Sequence, residues 1–527
     1  MRREVTQNWA VPPTWSWFLI AVLLLGIFFR FSYLDKAVYW RDETYTSLRL
    51  SGYTQAELVQ QVFTGDVISI EDLQKYQRTN TEKGLTDTIQ SLIVEDPQHP
   101  PLYYVMVRLW VQWFGNSVAV TRSLSALISL LAFPCIYWLC LELFESPLVG
   151  WVAIALIAVS PFHVHYAQEA REYSLWTVTI LLSSAALLRS LRLKTKLTWG
   201  IYAATVALSL YAFPFSMFFL IGHGIYVAAT ERFRLSKTFK AYLVAFVAGV
   251  LAFMPWFLII IINSQQISNT TRWINEDLSF ISLVKEWVNN MSFYFIGGHL
   301  NTVIFRLPIL ILISYSIYFV IRQTPKRVWL FILILMGSTA LPLMLQDLIF
   351  GGRRSTITRY LIPCCLSIHV AVAYLLTTKI ISISVSNQLK NIWRIVMITL
   401  ISAGVWTYII TSQAPNIWES GDSQSISIAR IVNQATKPLL ISDAHVNKSD
   451  GSVGNNGSIG NVMSLSYSLN PSVKLQLTVE PKIPNIPDNF SSIFLFNPSE
   501  ALLNGIKQEY KTELVQEGGL WKLTKQS

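Results

Sequence analysis

The chain has 527 residues, 52% hydrophobic, 13% aromatic and only 14% charged. That leaves too little polar surface for a soluble protein of this size and marks an integral membrane protein. The formal net charge of +10 sits in short clusters between apolar runs, where membrane topology accounts for it, and no nucleic-acid signal remains.

Arg2 and Arg3 precede the first apolar run, Trp15 to Tyr33, whose one charge is Arg30 near its end. At about 1.5 Å per helical residue this run crosses the ~30 Å hydrocarbon core of a bilayer. It is too long for a signal-peptide core and has no small-residue cleavage site, so it is expected to remain as a signal anchor. Tyr39-Trp40-Arg41-Asp42-Glu43-Thr44-Tyr45 follows almost at once. Adjacent carboxylates at a membrane surface, flanked by aromatic residues at headgroup depth, suit a base acting on a lipid-linked substrate. The same residues admit a second reading, in which Asp42 only N-caps a helix that begins at Glu43.

A polar segment, 34–121, comes next and contains an apparent helix over 100–114. With Arg108 at its centre and Trp110 and Trp113 beyond, this helix is expected to lie in the interface rather than to cross. The spans then run near 122–141, 147–163, 174–190, 198–213, 214–230, 240–262, 303–321, 328–346, 360–378 and 394–412, about eleven with the first. Basic clusters at 189–196, 232–240, 322–327 and 379–394 fall on the side of Arg2 and Arg3, which makes the amino terminus cytoplasmic. The segments 34–121, 164–173, 263–302, 347–359 and 413–527 are then outside. Two exceptions stand out: Arg353, Arg354 and Arg359 lie outside, and the cytoplasmic turn Glu142 to Ser146 has no positive charge.

From about residue 413 the composition shifts to Gly, Asn and Ser with strand-length apolar runs. Helices are expected at 425–435, 461–469 and 499–510, and strands at 438–442, 473–479, 492–496 and, as an edge, 520–523. The architecture predicted is an α-helical polytopic membrane domain, 1–412, with a small extracytoplasmic α/β domain, 413–527, following it. The glycine-rich 451–460 reads as a surface loop, since it fits no phosphate-loop pattern. This tail is expected to modulate acceptor choice and not to be needed for donor binding.

The spans contain essentially no ionisable residue between their ends, whereas transporters keep such groups at mid-membrane. Polar chemistry concentrates outside, in Arg41-Asp42-Glu43, in Gln98 to Tyr104 with His99 and Tyr103, at Arg122, in His163 to Tyr173, and in Arg353 to Tyr360. A phosphate leaving group needs fixed positive charge, and Arg122, Arg171, Arg353, Arg354 and Arg359 are the available set. Any of them can instead anchor a span end by snorkelling. If Pro161 starts a helical turn, His165, Glu169 and Glu172 share one face, with His163 pointing elsewhere. That set lacks a further ligand for a metal and reads as hydrogen bonding to headgroups or substrate. His223 and His369, inside apolar runs, read as interhelical hydrogen bonders. The four cysteines encode no disulfide framework or metal cluster by their spacing, and no cofactor is indicated, although a divalent metal is compatible with the chemistry.

Taken in order, Asp42-Glu43, His99-Pro100-Pro101-Leu102-Tyr103-Tyr104, Arg122-Ser-Leu-Ser-Ala, Ser160-Pro161-Phe162 with Gln168-Glu169-Ala170-Arg171, and Arg359-Tyr360-Leu-Ile-Pro363 resemble the multi-spanning GT-C glycosyltransferases. The branch most resembled is that of the protein O-mannosyltransferases and the lipid A aminoarabinose transferase, over about residues 15–380. The resemblance implies a polyprenyl-phosphate-linked sugar as donor and a lipid, glycan or protein hydroxyl as acceptor, outside the cytoplasmic membrane. It implies Asp42 as base with Glu43 beside it, and Arg122 and His99 near the donor phosphate. Tyr45, Tyr103, His165 and Glu169, in the same outer stretches, are expected near substrate. One departure is Tyr45, which stands where the aminoarabinose transferases carry Arg, so sugar and acceptor do not transfer. The rival from another class, a transporter or flippase of lipid-linked saccharides, asks for a polar path through the membrane or internal repeats, and neither is evident.

Overall fold

The structure is a computed structural model that describes residues 13–297, 303–383, 385–413, 424–444 and 457–526. Arg2, Arg3 and most of the glycine-rich loop (451–456) lie outside the described residues. The chain divides into two compact units: a helical unit (1–32, 122–262 and 271–413) and a mixed α/β unit (33–121, 263–270 and 414–527).

Every span expected from the sequence coincides with a helix. Seven helices among the described residues are long and apolar enough to cross a membrane: Val118–Phe144, Tyr173–Leu193, Lys237–Ile262, Ile304–Gln323, Lys326–Phe350, Thr358–Ile381 and Asn387–Gln413. An eighth is reached if Pro147–Val159 and Pro161–Ala167, which meet at 64°, form one broken span. Trp15–Phe31, Ser216–Thr230 and Lys196–Ala212 are apolar but shorter. By length and composition alone, seven or eight crossings are established among the described residues, and the count of eleven is not confirmed.

Pro147–Val159 lies at the centre of the helical unit, buried along almost its whole length among Pro13–Phe31, Ala132–Phe144, Ile362–Ile381 and Asn387–Gln413. Lipid is as apolar as leucine, so close packing rather than the hydrophobic effect holds such helices together. Gly26 illustrates this, because a Cβ there would stand 2.6 Å from the Cβ of Ala158. The break at Ser160 leaves helix carbonyls without donors, since Pro161 has no N–H to give Ile157. Arg30 supplies them: its guanidinium donates to Ala158 O at 2.7 Å and to Ile157 O at 3.0 Å. The one charge in the first apolar run is thus a cap for a neighbouring helix.

Both topological exceptions have local explanations. The turn without positive charge is supplied with it by its neighbours: Glu142 accepts from Arg192 at 2.8 Å and Arg189 at 3.4 Å, and Glu145 from Arg327 at 2.9 Å. Three loops assigned to the cytoplasm therefore meet at one end of the helical unit. Arg353 pairs with Glu276 at 3.1 Å, and Arg354 stands 3.6 Å from Asp347 and donates to Asn275, which ties 272–277 to the end of Lys326–Phe350.

In the mixed unit a six-stranded sheet runs β1 (Val67–Ser69), β3 (Lys474–Val479), β2 (Pro438–Ala444), β4 (Ser492–Phe496), β6 (Leu520–Lys525), β5 (Tyr510–Gln516) in spatial order. β2 is parallel to both β3 and β4, with Leu440 opposite Leu475 on one side and Phe494 on the other. A strand paired on both edges and covered on both faces is mostly apolar, and every residue of β2 is buried, with the polar Ser442 and Asp443 hydrogen-bonded to Phe496 O and Ser499 N. The sheet corrects the sequence reading in two places. β6 is not an edge, since β5 flanks it, and β5, a strand the sequence reading lacked, begins at Tyr510, the last residue of the expected helix. More consequentially, β1 comes from the first polar segment and pairs antiparallel with β3, Ile68 opposite Leu475.

The expected division at residue 412 differs from this packing. One apolar core contains Leu48, Tyr53, Leu58, Leu73 and Tyr76 from the first polar segment together with Ile428, Ile459, Met463, Leu475 and Phe494 from the tail. Neither segment encloses these side chains alone. The interfacial candidate, Pro101–Phe114, belongs to this unit as well. Its Arg108 is buried and donates to Leu50 O at 2.7 Å, Thr88 Oγ1 at 3.0 Å and Lys83 O. Trp113 and Phe114 are exposed at its end.

Candidate active site

In the mixed unit the helix carrying the paired carboxylates is Arg41–Ser51, and it begins two residues before Glu43. Trp40 is the N-cap residue, and its backbone N–H donates to Glu43 Oε2 at 3.4 Å. The terminal amide is thus met from the third helical position, as in a capping box. Asp42 takes the second position, half-buried, and is not the N-cap. Glu43 itself is fully buried. The tail holds this turn from outside: Ser464 Oγ donates to Tyr39 O at 2.7 Å, and Tyr467 packs edge-on against Tyr39 at 4.7 Å.

Gln98 to Tyr104 is brought to the same helix by Arg49. This buried guanidinium contacts Glu95 at 2.5 Å and Asp96 at 2.6 Å, and the Asp96 carbonyl accepts from His99 N at 2.9 Å. Burial opposes the Arg49 charge, but the two carboxylates outweigh it and hold the guanidinium protonated above its ordinary range. Tyr45, chiefly through burial, is pushed well above the ordinary phenol range and keeps its proton, and its hydroxyl is buried without a hydrogen-bond partner. His99 is half-buried beside Tyr104, with ring centroids 6.1 Å apart, and Tyr103 is fully enclosed.

In the helical unit the polar stretch 161–173 folds inward at the break in the central helix. Gln168 Nε2 donates to Phe29 O at 2.6 Å and Ser32 O at 2.9 Å, and Ser174 Oγ to Tyr166 O at 2.9 Å. Glu169, Arg171 and Glu172 are consequently buried, although loops normally run over surfaces. Buried charge is costly unless paired. His165 Nε2 lies 3.0 Å from Glu169 Oε1, and Arg171 3.4 Å from Glu172 Oε1, while Glu169 Oε2 has no hydrogen-bond partner. His165 and Glu169 share a face as the spacing predicts, but Glu172 is turned to Arg171.

Two distant stretches join this turn. Ser125, one turn beyond the buried Arg122, donates to Arg171 O at 3.2 Å. Arg359 lies over Tyr173 at 5.7 Å, Tyr360 at 5.6 Å and Trp273 at 5.9 Å, and the Tyr166 hydroxyl bonds Thr358 within electrostatic reach of Glu169 and Arg359. Arg353 and Arg354, expected among the phosphate-binding set, pair with Glu276 and Asp347 within the loop. Trp273 had no signal in the sequence, since nothing in its own segment marks it as the neighbour of Arg359. His163, Cys365 and His369, far apart in the sequence, offer ligand atoms within 4.8 Å of one another.

Residues 98–259, less than half of the chain, match the family described as Dolichyl-phosphate-mannose-protein mannosyltransferase. The match takes in His99, Arg122 and the inward turn; Asp42 precedes it and Arg359 follows it. No curated protein matches the chain. Among solved structures, ArnT from Cupriavidus metallidurans in the apo state aligns over 97% of this chain and 97% of that one, at 12% identity and a TM-score of 0.53. The same protein bound to undecaprenyl phosphate aligns over 97% and 98% at 11% identity and 0.49. The archaeal oligosaccharyltransferase AglB from Archaeoglobus fulgidus, in complex with an inhibitory peptide and a dolichol-phosphate, aligns over 98% and 75% at 11% identity and 0.48.

Proposed function

We propose that this chain, whose fold is that of the GT-C membrane glycosyltransferases, transfers a sugar from a polyprenyl-phosphate carrier to an acceptor hydroxyl outside the cytoplasmic membrane. The acceptor oxygen attacks the anomeric carbon and forms the new glycosidic bond. The bond from that carbon to the carrier's phosphate oxygen breaks, its electron pair leaving with the phosphate, and the acceptor proton passes to the Asp42 carboxylate. Configuration at the anomeric carbon inverts. Arg122, Arg171 and Arg359 meet the growing charge on the phosphate; fixed guanidiniums already in place stabilise it more than mobile water would. A lipid phosphate leaves readily once its charge is met, so the reaction needs no metal in principle.

The observation that carries the assignment of the base is the geometry at Trp40–Glu43. The bland account of Asp42 does not fit its position: the helix starts at Arg41 with Trp40 as N-cap, and the Trp40 N–H is met by Glu43. The test is transfer from a radiolabelled lipid-linked sugar in proteoliposomes. Asp42→Asn keeps the size of the side chain but cannot accept the proton, and the expected loss is the ~10²–10⁴-fold typical of a removed general base, with donor binding retained. A variant that keeps most of the wild-type rate ends the assignment.

A further inference from the structure

The turn that joins Ser216–Thr230 to Lys237–Ile262 in the helical unit concentrates charge of one sign. Between Thr230 and Ala241 the chain carries Arg232, Arg234, Lys237 and Lys240 against a single acid, Glu231. Arg189 and Arg192, by contrast, are answered by Glu142, and Arg327 by Glu145. The four cations of the turn are exposed and form no ion pair among the described residues. Two large apolar side chains alternate with the arginines: Phe233 is 81% exposed and Leu235 70%.

The backbone of the turn is unusual for these residue types. Phe233 N donates to Ala228 O at 2.7 Å, the six-residue closure of a Schellman motif at the end of Ser216–Thr230. In that motif the left-handed residue is usually glycine, and the apolar residue after it commonly packs back on the helix. Here Arg232 is left-handed at φ 55° and Phe233 follows at φ 58°, the one adjacent pair of non-glycine residues with positive φ among the described residues. Such backbone is costly for side chains with a Cβ, and the Phe233 ring is left exposed rather than packed on the helix. Ser236 then opens the next helix, its Oγ accepting from Phe239 N at 3.0 Å. That helix, Lys237–Ile262, is long and apolar enough to cross a membrane, yet only 22% of its apolar stretch is buried within the protein, and Val244, Val247 and Leu251 are exposed. Lipid is the surrounding that suits such a surface, so the covalent chain fixes the turn at the depth of the headgroups.

We propose that residues 232–240 dock on the adjoining leaflet through its anionic phospholipids. Arg232, Arg234, Lys237 and Lys240 bind headgroup phosphates, and Phe233 and Leu235 enter the boundary between headgroups and acyl chains. Long basic side chains lay their stems along apolar surface while their charged ends reach the phosphates. Anionic lipid is favoured over zwitterionic lipid because the latter brings a cation with each phosphate, which the four cations of the turn repel. Apolar burial and charge attraction add, so a turn that offers both binds a leaflet more firmly than one that offers either. Docking holds the two flanking helices at one depth in the bilayer. This role is independent of the transfer reaction and of which face of the membrane is cytoplasmic.

The experiment uses the purified full-length protein in two measurements. In native mass spectrometry from detergent, wild type should retain phosphatidylglycerol in preference to phosphatidylcholine. The quadruple variant Arg232→Gln, Arg234→Gln, Lys237→Gln, Lys240→Gln should lose that preference, and each single change should weaken phosphatidylglycerol binding about fivefold. Thermal unfolding in detergent checks that the variants are folded. For depth, a spin label is placed at Leu235→Cys after replacement of the native cysteines, and the protein is reconstituted in nanodiscs containing phosphatidylglycerol. The label should collide more with oxygen and less with a water-soluble nickel chelate than a label at Lys511→Cys, on an exposed strand of the mixed unit. A folded quadruple variant that keeps the lipid preference, a label at 235 as open to nickel as the one at 511, or displacement of the bound lipid by inorganic phosphate, which marks a site for free anions, would each overturn the proposal.

Discussion

At the scale of single residues, five arginines that look alike in the sequence separate into two kinds. Arg353 is held by a partly exposed ion pair, the sort worth no more than about 1 kcal/mol, and its duty is local. Arg359 stands over three aromatic rings, one of them Tyr173 at the end of the inward turn, and Arg122 is buried one helical turn before Ser125, which donates to Arg171 O. Arg359→Ala is therefore expected to weaken binding of a polyprenyl-phosphate donor at least tenfold, while Arg353→Ala leaves it within about twofold; equilibrium binding in detergent distinguishes them. Equal losses would return Arg353 to the phosphate-binding set. Arg122→Lys keeps the charge but not the planar fork, and donor affinity should fall nearly as far as in Arg122→Ala. Glu43 now has the capping role, so Glu43→Ala should cost about 0.5–2 kcal/mol of stability, read by chemical denaturation, and Glu43→Gln much less, because its amide oxygen can still accept from Trp40.

The tail's role changes at the scale of elements. The helix Gly457–Ser466 packs directly on Arg41–Ser51, and a Cβ at Gly460 would strike the Arg41 side chain and stand 3.0 Å from the Tyr45 ring. Gly460→Val should push Arg41–Ser51 aside and lower transfer at least tenfold with donor affinity preserved, because the arginines assigned to the phosphate lie in other segments. Unchanged turnover in a folded Gly460→Val protein would show that the helix position is not critical. The same packing bears on truncation. Composition made the tail look separable, but without 414–527 the first polar segment loses the partner of β1 and half of its core. A chain ending at 413 should expose 33–121 to rapid proteolysis; a protease-resistant 33–121 in that truncation would restore the tail as an independent domain.

For the whole molecule, the arginine–glutamate pairs at one end of the helical unit agree with the parity assigned from basic residues. Cysteine labelling in intact cells tests it. With the native cysteines replaced, Lys511→Cys, on an exposed strand of the mixed unit, should react with an impermeant maleimide from outside. Lys196→Cys, beside the basic cluster, should react only after the membrane is opened. Labelling of the two in the reverse order would invert the topology.

Hydropathy located each long apolar helix, because a bilayer enforces uninterrupted apolar runs and internal backbone hydrogen bonds whatever the neighbours are. The ordered motifs likewise announced the carboxylate pair at Asp42 and the polar stretch around Arg171, since rare charged residues at span ends are conspicuous against an apolar background. Whether such a charge serves a ligand or a neighbour was not legible: Arg30, Arg353 and Arg354 are answered by backbone and carboxylates more than a hundred or fewer than eighty residues away. The tail's union with the first polar segment was hidden for the same reason. β1 is three residues long and the shared core joins side chains from opposite ends of the chain, such as Leu48 and Phe494. By itself the sequence determined which segments enter the membrane and which chemical groups gather at their ends, because those depend on local hydrophobicity. Only the tertiary structure decided which charges pair, which helix the tail supports and that His163 meets Cys365 and His369, because contacts between distant residues arise when helices and strands pack.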